Sequence, residues 1–239
     1  MAKDLVYIFN GKIARFGNVV LGKPVDRYNP LGLPELTIRV KYKSGSVGPS
    51  YSYDWFKPTV TAVQGQSDVY DICTKDTTMG TNWQYLLEMD SNRADLLEVL
   101  GANSTGVTSM FLLFHDCTSL ENVELFDTSS VTNFGSMFKG CTSLIESPLY
   151  DTSNATSMSE MFNNCRSLKY VPLFDTSTVT DMYCTFYNCV NVESGALALY
   201  QQASLRESDI YHIGTFAYCG YNTVSGSAEL AQIPSSWKS

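Results

Sequence analysis

The residues best suited to chemistry recur at a fixed step. Cys117, Cys141, Cys165 and Cys189 stand 24 residues apart, and Cys73, Cys184 and Cys219 bring the total to seven. Clustered thiols could hold zinc, but no two form a C-x-x-C pair and only Cys184 and Cys189 are close neighbours, so a zinc site has little support. The periodic spacing reads instead as reduced thiols packed as small hydrophobes. Asp127, Asp151 and Asp175 keep the same step. Stacked roughly 5 Å apart, their carboxylates would repel. Backbone amides and adjacent Thr hydroxyls must satisfy them in a capping turn, or a cation such as calcium must sit beside them. The turn is the expected arrangement, and no metal or cofactor is assigned. General-base chemistry would need one of two histidines. His115 shares its column with Lys139, Asn163 and Tyr187, a variable and exposed position, and His212 has no Ser or Cys nucleophile motif around it. Neither belongs to a G-x-S-x-G, Walker A or H-E-x-x-H pattern, so the expectation is a protein without enzymatic activity.

A third recurring set is aromatic: Phe126, Tyr150 and Phe174, flanked by Glu124, Glu146 and Tyr170. Facing solvent, this column is a platform for sugar rings or protein side chains; turned under its loop, it is additional core. These six residues are the candidate interaction surface.

The elements that position these columns follow from the repeat itself. Phe114, Phe138, Phe162 and Phe186 recur at the same step, as do Leu120, Leu144 and Leu168, and Leu125, Leu149 and Leu173. Repeats run over 103–126, 127–150 and 151–174, with a fourth beginning at Asp175. The set Leu120, Val123, Leu125 reads as the strand of a leucine-rich repeat, with alternate residues inward. The segment "DTSSVT" supplies a turn and cap, and "NFGSMF" a short helical turn. Pro148 and Pro172 fall inside the strand pattern and each removes a donor, so short or irregular strands are expected there. The expected fold class is a leucine-rich repeat solenoid of short parallel strands and short helical turns with a 24-residue period, preceded by a β-rich N-terminal module. A cap over 83–102 covers the first repeat, since an end repeat otherwise exposes apolar edges. A helical insertion falls near 195–208, before a C-terminal cap, so the repeat domain as a whole spans 103–239.

Charge separates the halves. Residues 1–100 carry 11 Lys+Arg and 11 Asp+Glu, whereas residues 101–239 carry 5 and 13, so the net −8 lies on the repeats (5 − 13 = −8). That surface repels a phosphate backbone, which argues against nucleic acid. No apolar run has the roughly 18 residues that a membrane helix needs, and "MAKDLVYIFNGKIARF" lacks a secretory core, so no membrane insertion is expected and the chain is read as made and kept soluble. Residues 1–33 form an N-terminal hairpin and attachment segment. Leu5, Tyr7 and Phe9 precede the Asn10-Gly11 turn, and Lys12, Arg15 and Phe16 follow it. Residues 34–82 form the β-rich module, with strand candidates in "LTIRVKYK", "YSYDWF", "TVTAV" and "DVYDI".

The pattern "DTS-x-V-T-x-M-x-x-M-F-x-x-C-x-S-L" resembles the BspA-type leucine-rich repeat proteins of bacterial surfaces, which also occur in tailed bacteriophage genomes. "LPELTIRVKY", "DLLEVLGANSTGVT" and the tail "ALYQQAS…ELAQIPSSW" are similar to the phage group. The resemblance covers about residues 34–239 and implies a non-enzymatic binding or structural module without naming a ligand. The expected function is a virion structural or display protein of a tailed bacteriophage, as capsid decoration, head fibre or tail-associated component, made in the host cytoplasm. Its N-terminal part would join other virion or surface proteins, its repeats would take a glycan or protein ligand, and it would be a homo-oligomer. The alternative is a bacterial cell-surface adhesin.

Overall fold

The computed structural model describes residues 7–9, 12–14, 29, 31–52, 57–75 and 81–239. Strands β1 (Tyr7–Phe9) and β2 (Lys12–Ala14) pair antiparallel, Ile8 opposite Ile13. The Asn10-Gly11 turn, and Leu5, Arg15 and Phe16 of the attachment segment, lie outside the described residues, as does most of "YSYDWF".

Five further strands make one mixed sheet: β3 (Thr37–Tyr42), β4 (Thr59–Ala62), β5 (Val69–Cys73), β6 (Leu96–Asn103) and β7 (Asn122–Val123), in the order β4-β5-β3-β6-β7. Every pairing is antiparallel except β6 with β7. Central β3 shows why "TIRVKY" is a strand. Ile38, Val40 and Tyr42 are buried on one face, while Arg39 and Lys41 reach their direct cross-strand partners. Arg39 grips Asp71 bidentately at 2.6 and 2.7 Å, and Lys41 meets Glu98 at 2.8 Å. Because β6 pairs with both β3 and β7, the sheet runs on into the first repeat.

The expected fold class is overturned here. The described residues hold this mixed five-stranded sheet and few helices, α1 (Ala196–Ala203) and α2 (Val224–Gln232) with short 3-10 turns, in place of parallel leucine-rich strands and helical turns. In the first repeat the expected strand shrinks to the two residues of β7; at that position the second repeat has no strand and the third only the isolated parallel bridge of Tyr170 with Ser194. Pro148 and Pro172 remove the ladder donor there. The expected helical turns fail for a different reason. Leu112, Ser136, Glu160 and Cys184 have φ of 59°, 53°, 55° and 50°, and Asp116, Asn164 and Asn188 are also left-handed, so each turn is interrupted twice. A right-handed helix cannot run through them.

The repeats nonetheless stack as rungs, joined by single parallel bridges from Asn82 through Ser109, Asn133, Ser157 and Asp181 to Tyr211. Alternate amides carry the contact. Met110, Leu112, Phe114 and Asp116 donate to the carbonyls of Asn133, Gly135, Met137 and Lys139 at 2.8–3.0 Å, and the next rungs repeat the pattern. At the far end, Phe216 donates its amide to the Trp237 carbonyl at 2.9 Å, and the buried indole covers the Phe216 ring. Helix α2 lies so close that a Cβ on Gly226 would sit 2.2 Å from the Val192 carbonyl oxygen.

Asp90 fixes the sheet to the stack. It is buried, accepts from the Tyr42 hydroxyl, and takes the Ser50 and Asn92 amides at 2.7 and 3.0 Å. Burial raises its pKa against the pull of these donors. The folded protein therefore binds this proton more readily than the unfolded chain, and the resulting stabilisation, full below the ordinary carboxylate pKa, is lost as pH rises through the folded value. Tyr42→Phe should cost about 1.5 to 3 kcal/mol near neutrality, where the carboxylate loses a donor, and progressively less towards about pH 4. Thermal melts of both proteins across that range check this; a deficit independent of pH counts against a charged Asp90.

Candidate functional site

The repeat columns separate into inward and outward sets. Phe114, Phe138, Phe162 and Phe186 stack with centroids 5.1, 5.3 and 5.2 Å apart and planes within 15° of parallel. The cysteines lie beside them. Cys141, Cys165 and Cys189 donate from Sγ to the carbonyls of Phe114, Phe138 and Phe162, each at 3.0 Å. Burial pushes the thiols of Cys117, Cys141, Cys165 and Cys219 well above their ordinary value. They are inert packing groups, since the thiolate is the reactive form.

The aromatic column of the sequence reading is also interior. Phe126, Tyr150 and Phe174 are buried, and Tyr150 lies 5.3 Å from Phe126 and 6.2 Å from Phe138. It is therefore no solvent-facing platform: the backbone turns it under the loop against the phenylalanine stack. Of its flanking residues, Glu124, Glu146 and Tyr170 are exposed. The Tyr150 hydroxyl is buried with no hydrogen-bond partner among the described residues. Tyr7, Phe9 and Lys12 of the attachment segment fall in β1 and β2.

Turning the aromatics inward turns their predecessors outward. Leu125, Leu149 and Leu173, read from the sequence as the inward end of a strand, are 37%, 50% and 52% exposed. They form an apolar stripe along the stack. At its head, β6 and β7 pair Val99 with Val123, and the Leu31 side chain lies over Gly101 of β6. Beyond its foot, a groove runs between Leu173 and the largely exposed Leu205, lined also by Asp175, Thr176, Gln202 and Arg206.

Acidic residues rim the stripe. Glu121, Glu124 and Glu146 precede it on the chain, and Asp127, Asp151 and Asp175 follow two residues after each leucine. Each of these aspartates takes the amide two residues on, from Ser129, Ser153 and Ser177, at 3.0, 3.0 and 2.8 Å, as a turn cap does. The neighbouring cations are engaged. Lys169 pairs with Glu193 at 2.9 Å, and Arg206 donates to the Thr176 and Ser177 carbonyls. Among the described residues no three His, Cys, Asp or Glu side chains are grouped as metal ligands.

The histidines sit apart. His115 faces its neighbour Asp116 at 3.6 Å, while His212 stacks on Trp237 at 4.2 Å and reaches Glu207 at 3.5 Å. The outward tyrosines Tyr183, Tyr211, Tyr218 and Tyr221 form a second apolar surface that the sequence reading did not single out. Tyr183 and Tyr211 stack on each other at 5.7 Å, so each covers a face of its neighbour.

Residues 88–203 match the family model described as "Mycoplasma protein of unknown function, DUF285". The match spans slightly under half of the 239 residues. It supports the BspA-like repeat resemblance over the rungs and does not reach β3 or the C-terminal cap. No curated protein and no solved structure matches the chain.

Thiol labelling of the folded protein should modify the partly exposed Cys73 quickly and Cys141 and Cys165 only on unfolding. Rapid modification of the latter two removes them from the core. Tyr150→Phe should raise stability by about 1 kcal/mol by deleting the unpaired hydroxyl, whereas Phe126→Ala should cost about 3 to 5 kcal/mol. Denaturant titration measures both. A Phe126→Ala loss within about 0.5 kcal/mol of zero contradicts the inward placement.

Proposed function

We propose that this chain is a non-enzymatic structural and display protein whose residues 1–33 attach it to a larger assembly and whose rungs present an interaction surface. The observation that carries the reading is the outward leucine stripe. Stacking explains why the inward Phe and Cys columns repeat, because each must fit its copy on the next rung. It sets no such demand on an outward side chain, so a large apolar residue kept outward on three successive rungs fits a surface held for a partner. The site is thus the stripe with its Glu124, Glu146 and Tyr170 flank, in place of the aromatic column.

The assembly we favour is the virion of a tailed bacteriophage, with the chain as capsid decoration, head fibre or tail-associated component, built in the host cytoplasm and homo-oligomeric. Its support is the resemblance of "LPELTIRVKY", "DLLEVLGANSTGVT" and the tail to the phage group; these segments supply β3, β6 and the covering helices α1 and α2. A second reading, a bacterial cell-surface adhesin, gains from the family match, whose description names a Mycoplasma protein.

Deleting residues 1–22 should leave the sheet and rungs folded while abolishing incorporation into particles. Mass spectrometry of purified virions, with circular dichroism of the purified variant, checks both halves. Normal copy number of the truncated chain in particles refutes attachment through this segment. Recovery of the intact chain from the bacterial surface and its absence from particles selects the adhesin.

A further inference from the structure

The stripe's spacing identifies the shape of its partner. This inference rests on the display reading, and it concerns which chemistry the displayed surface takes. Successive rungs are joined by parallel backbone hydrogen bonds, which set neighbouring chains about 4.8 Å apart, and the phenylalanine rings between them lie 5.1 to 5.3 Å centre to centre. An α-helix advances about 5.4 Å per turn. A helix laid along the stripe therefore presents one apolar turn to each rung and drifts by only about 1 Å over the two steps from Leu125 to Leu173. An extended strand repeats its side-chain direction every two residues, about 6.6 Å, and slips by about 4 Å over the same distance.

Charge adds a second constraint. Glu121, Glu124 and Glu146 precede the leucines on the chain and Asp127, Asp151 and Asp175 follow them, while Lys169 pairs with Glu193 and Arg206 with Asp209. A second copy of the stripe would bring acid against acid. A segment with basic residues on both sides of an apolar seam would find its counter-charges on both rims.

We infer that the Leu125, Leu149 and Leu173 stripe is a docking seat for an amphipathic basic helix of a partner protein, with apolar residues at i, i+3, i+4, i+7 and i+11 and lysine or arginine beside them. The helix lies parallel to the stack, and its last apolar turn reaches the groove between Leu173 and Leu205. This is the helix-in-groove mode of recognition, with the acidic rims setting its charge preference.

The test uses the full chain and two fluorescent peptides of equal composition and charge, each about 15 residues of leucine and lysine. One carries the helical leucine spacing and the other strict alternation. By anisotropy, the helical peptide should bind at least about ten-fold tighter, and Leu149→Lys or Leu173→Lys should weaken it by about ten-fold or more. Both side chains point outward, so melting temperatures of these variants should stay near that of the parent; if one variant melts early, the other carries the comparison. Glu124→Gln with Glu146→Gln should weaken binding and flatten its salt dependence. Equal affinity for the two peptides, tighter binding of the alternating one, indifference to both lysine substitutions, or no binding overturns the helix seat. A chain found on virions whose stripe fails this test loses the helix partner and keeps its display role. A chain found on neither particle nor cell surface loses the display reading whatever the peptides do.

Discussion

The repeats of this molecule depend on one constraint, that alternate backbone amides of each rung must meet the carbonyls of the next. Met110, Leu112, Phe114 and Asp116 do so with the rung at Asn133 to Lys139, and the pattern recurs to Ala217. A buried amide left unpaired costs about as much as a lost hydrogen bond, so four donors per rung fix its path closely. That path requires left-handed residues at two places in each turn, which the chain accepts at Leu112, Ser136, Glu160 and Cys184 despite their Cβ atoms. The hydrogen bonds hold neighbouring rungs about 4.8 Å apart, and the rings stack between them at 5.1 to 5.3 Å centre to centre, so the two repeat together along the stack.

A stack of this kind has two open ends, and both are closed by elements that do not repeat. At the start, β6 offers one edge to β7 and the other to β3, turning an end rung into an inner strand of a mixed sheet. Asp90 then holds that sheet through Tyr42, Ser50 and Asn92. At the finish, Trp237 lies over Phe216 and His212, and Glu207 accepts the indole N–H at 3.1 Å. The second histidine thus serves to anchor the tail, which its isolation from any nucleophile motif had left open. The proposed attachment through the N-terminal segment and display along the rungs are compatible, because among the described residues the closing elements leave the leucines of the stripe 37–52% exposed.

The columns were legible in the sequence and their directions were not. A 24-residue identity of Phe, Cys, Leu and Asp predicts stacking, capping turns at Asp127, Asp151 and Asp175, and buried thiols without reference to backbone detail. Direction needs the backbone conformation. The alternation argument assumed a strand from Leu120 to Leu125, placing Leu125 inward and leaving Phe126 undecided. In the structure the inward place passes to Phe126, Tyr150 and Phe174. It does so in the first repeat too, where the Glu124 amide still donates to the Val99 carbonyl at 2.9 Å in place of the donor that Pro148 and Pro172 lack. The expected helical turns failed because φ signs are invisible where the residue is Leu, Ser, Glu or Cys instead of Gly. The site moved by one residue for the same reason, from an aromatic column to the leucines before it.

That one-residue shift changes what repetition means. An inward column repeats because each side chain packs against its own copy, and Phe138 could not vary without disturbing Phe114 and Phe162. The column expected to be exposed at His115, Lys139, Asn163 and Tyr187 is half-buried, and Asn163 is buried. An outward column has no such tie, as Glu121, Ile145 and Lys169 illustrate by holding an acid, an apolar residue and a base on three rungs. Against that freedom, leucine kept at 125, 149 and 173 at 37–52% exposure is the observation on which the proposed partner surface rests. Half-exposed leucines lose part of their burial energy in the isolated chain, roughly 25 cal/mol for each Å² left in water, and a partner at the rung spacing recovers it on every rung at once. The periodicity that closes the core therefore also writes a ruled surface, on which any binder must share the rung's 5 Å step or touch only one leucine at a time.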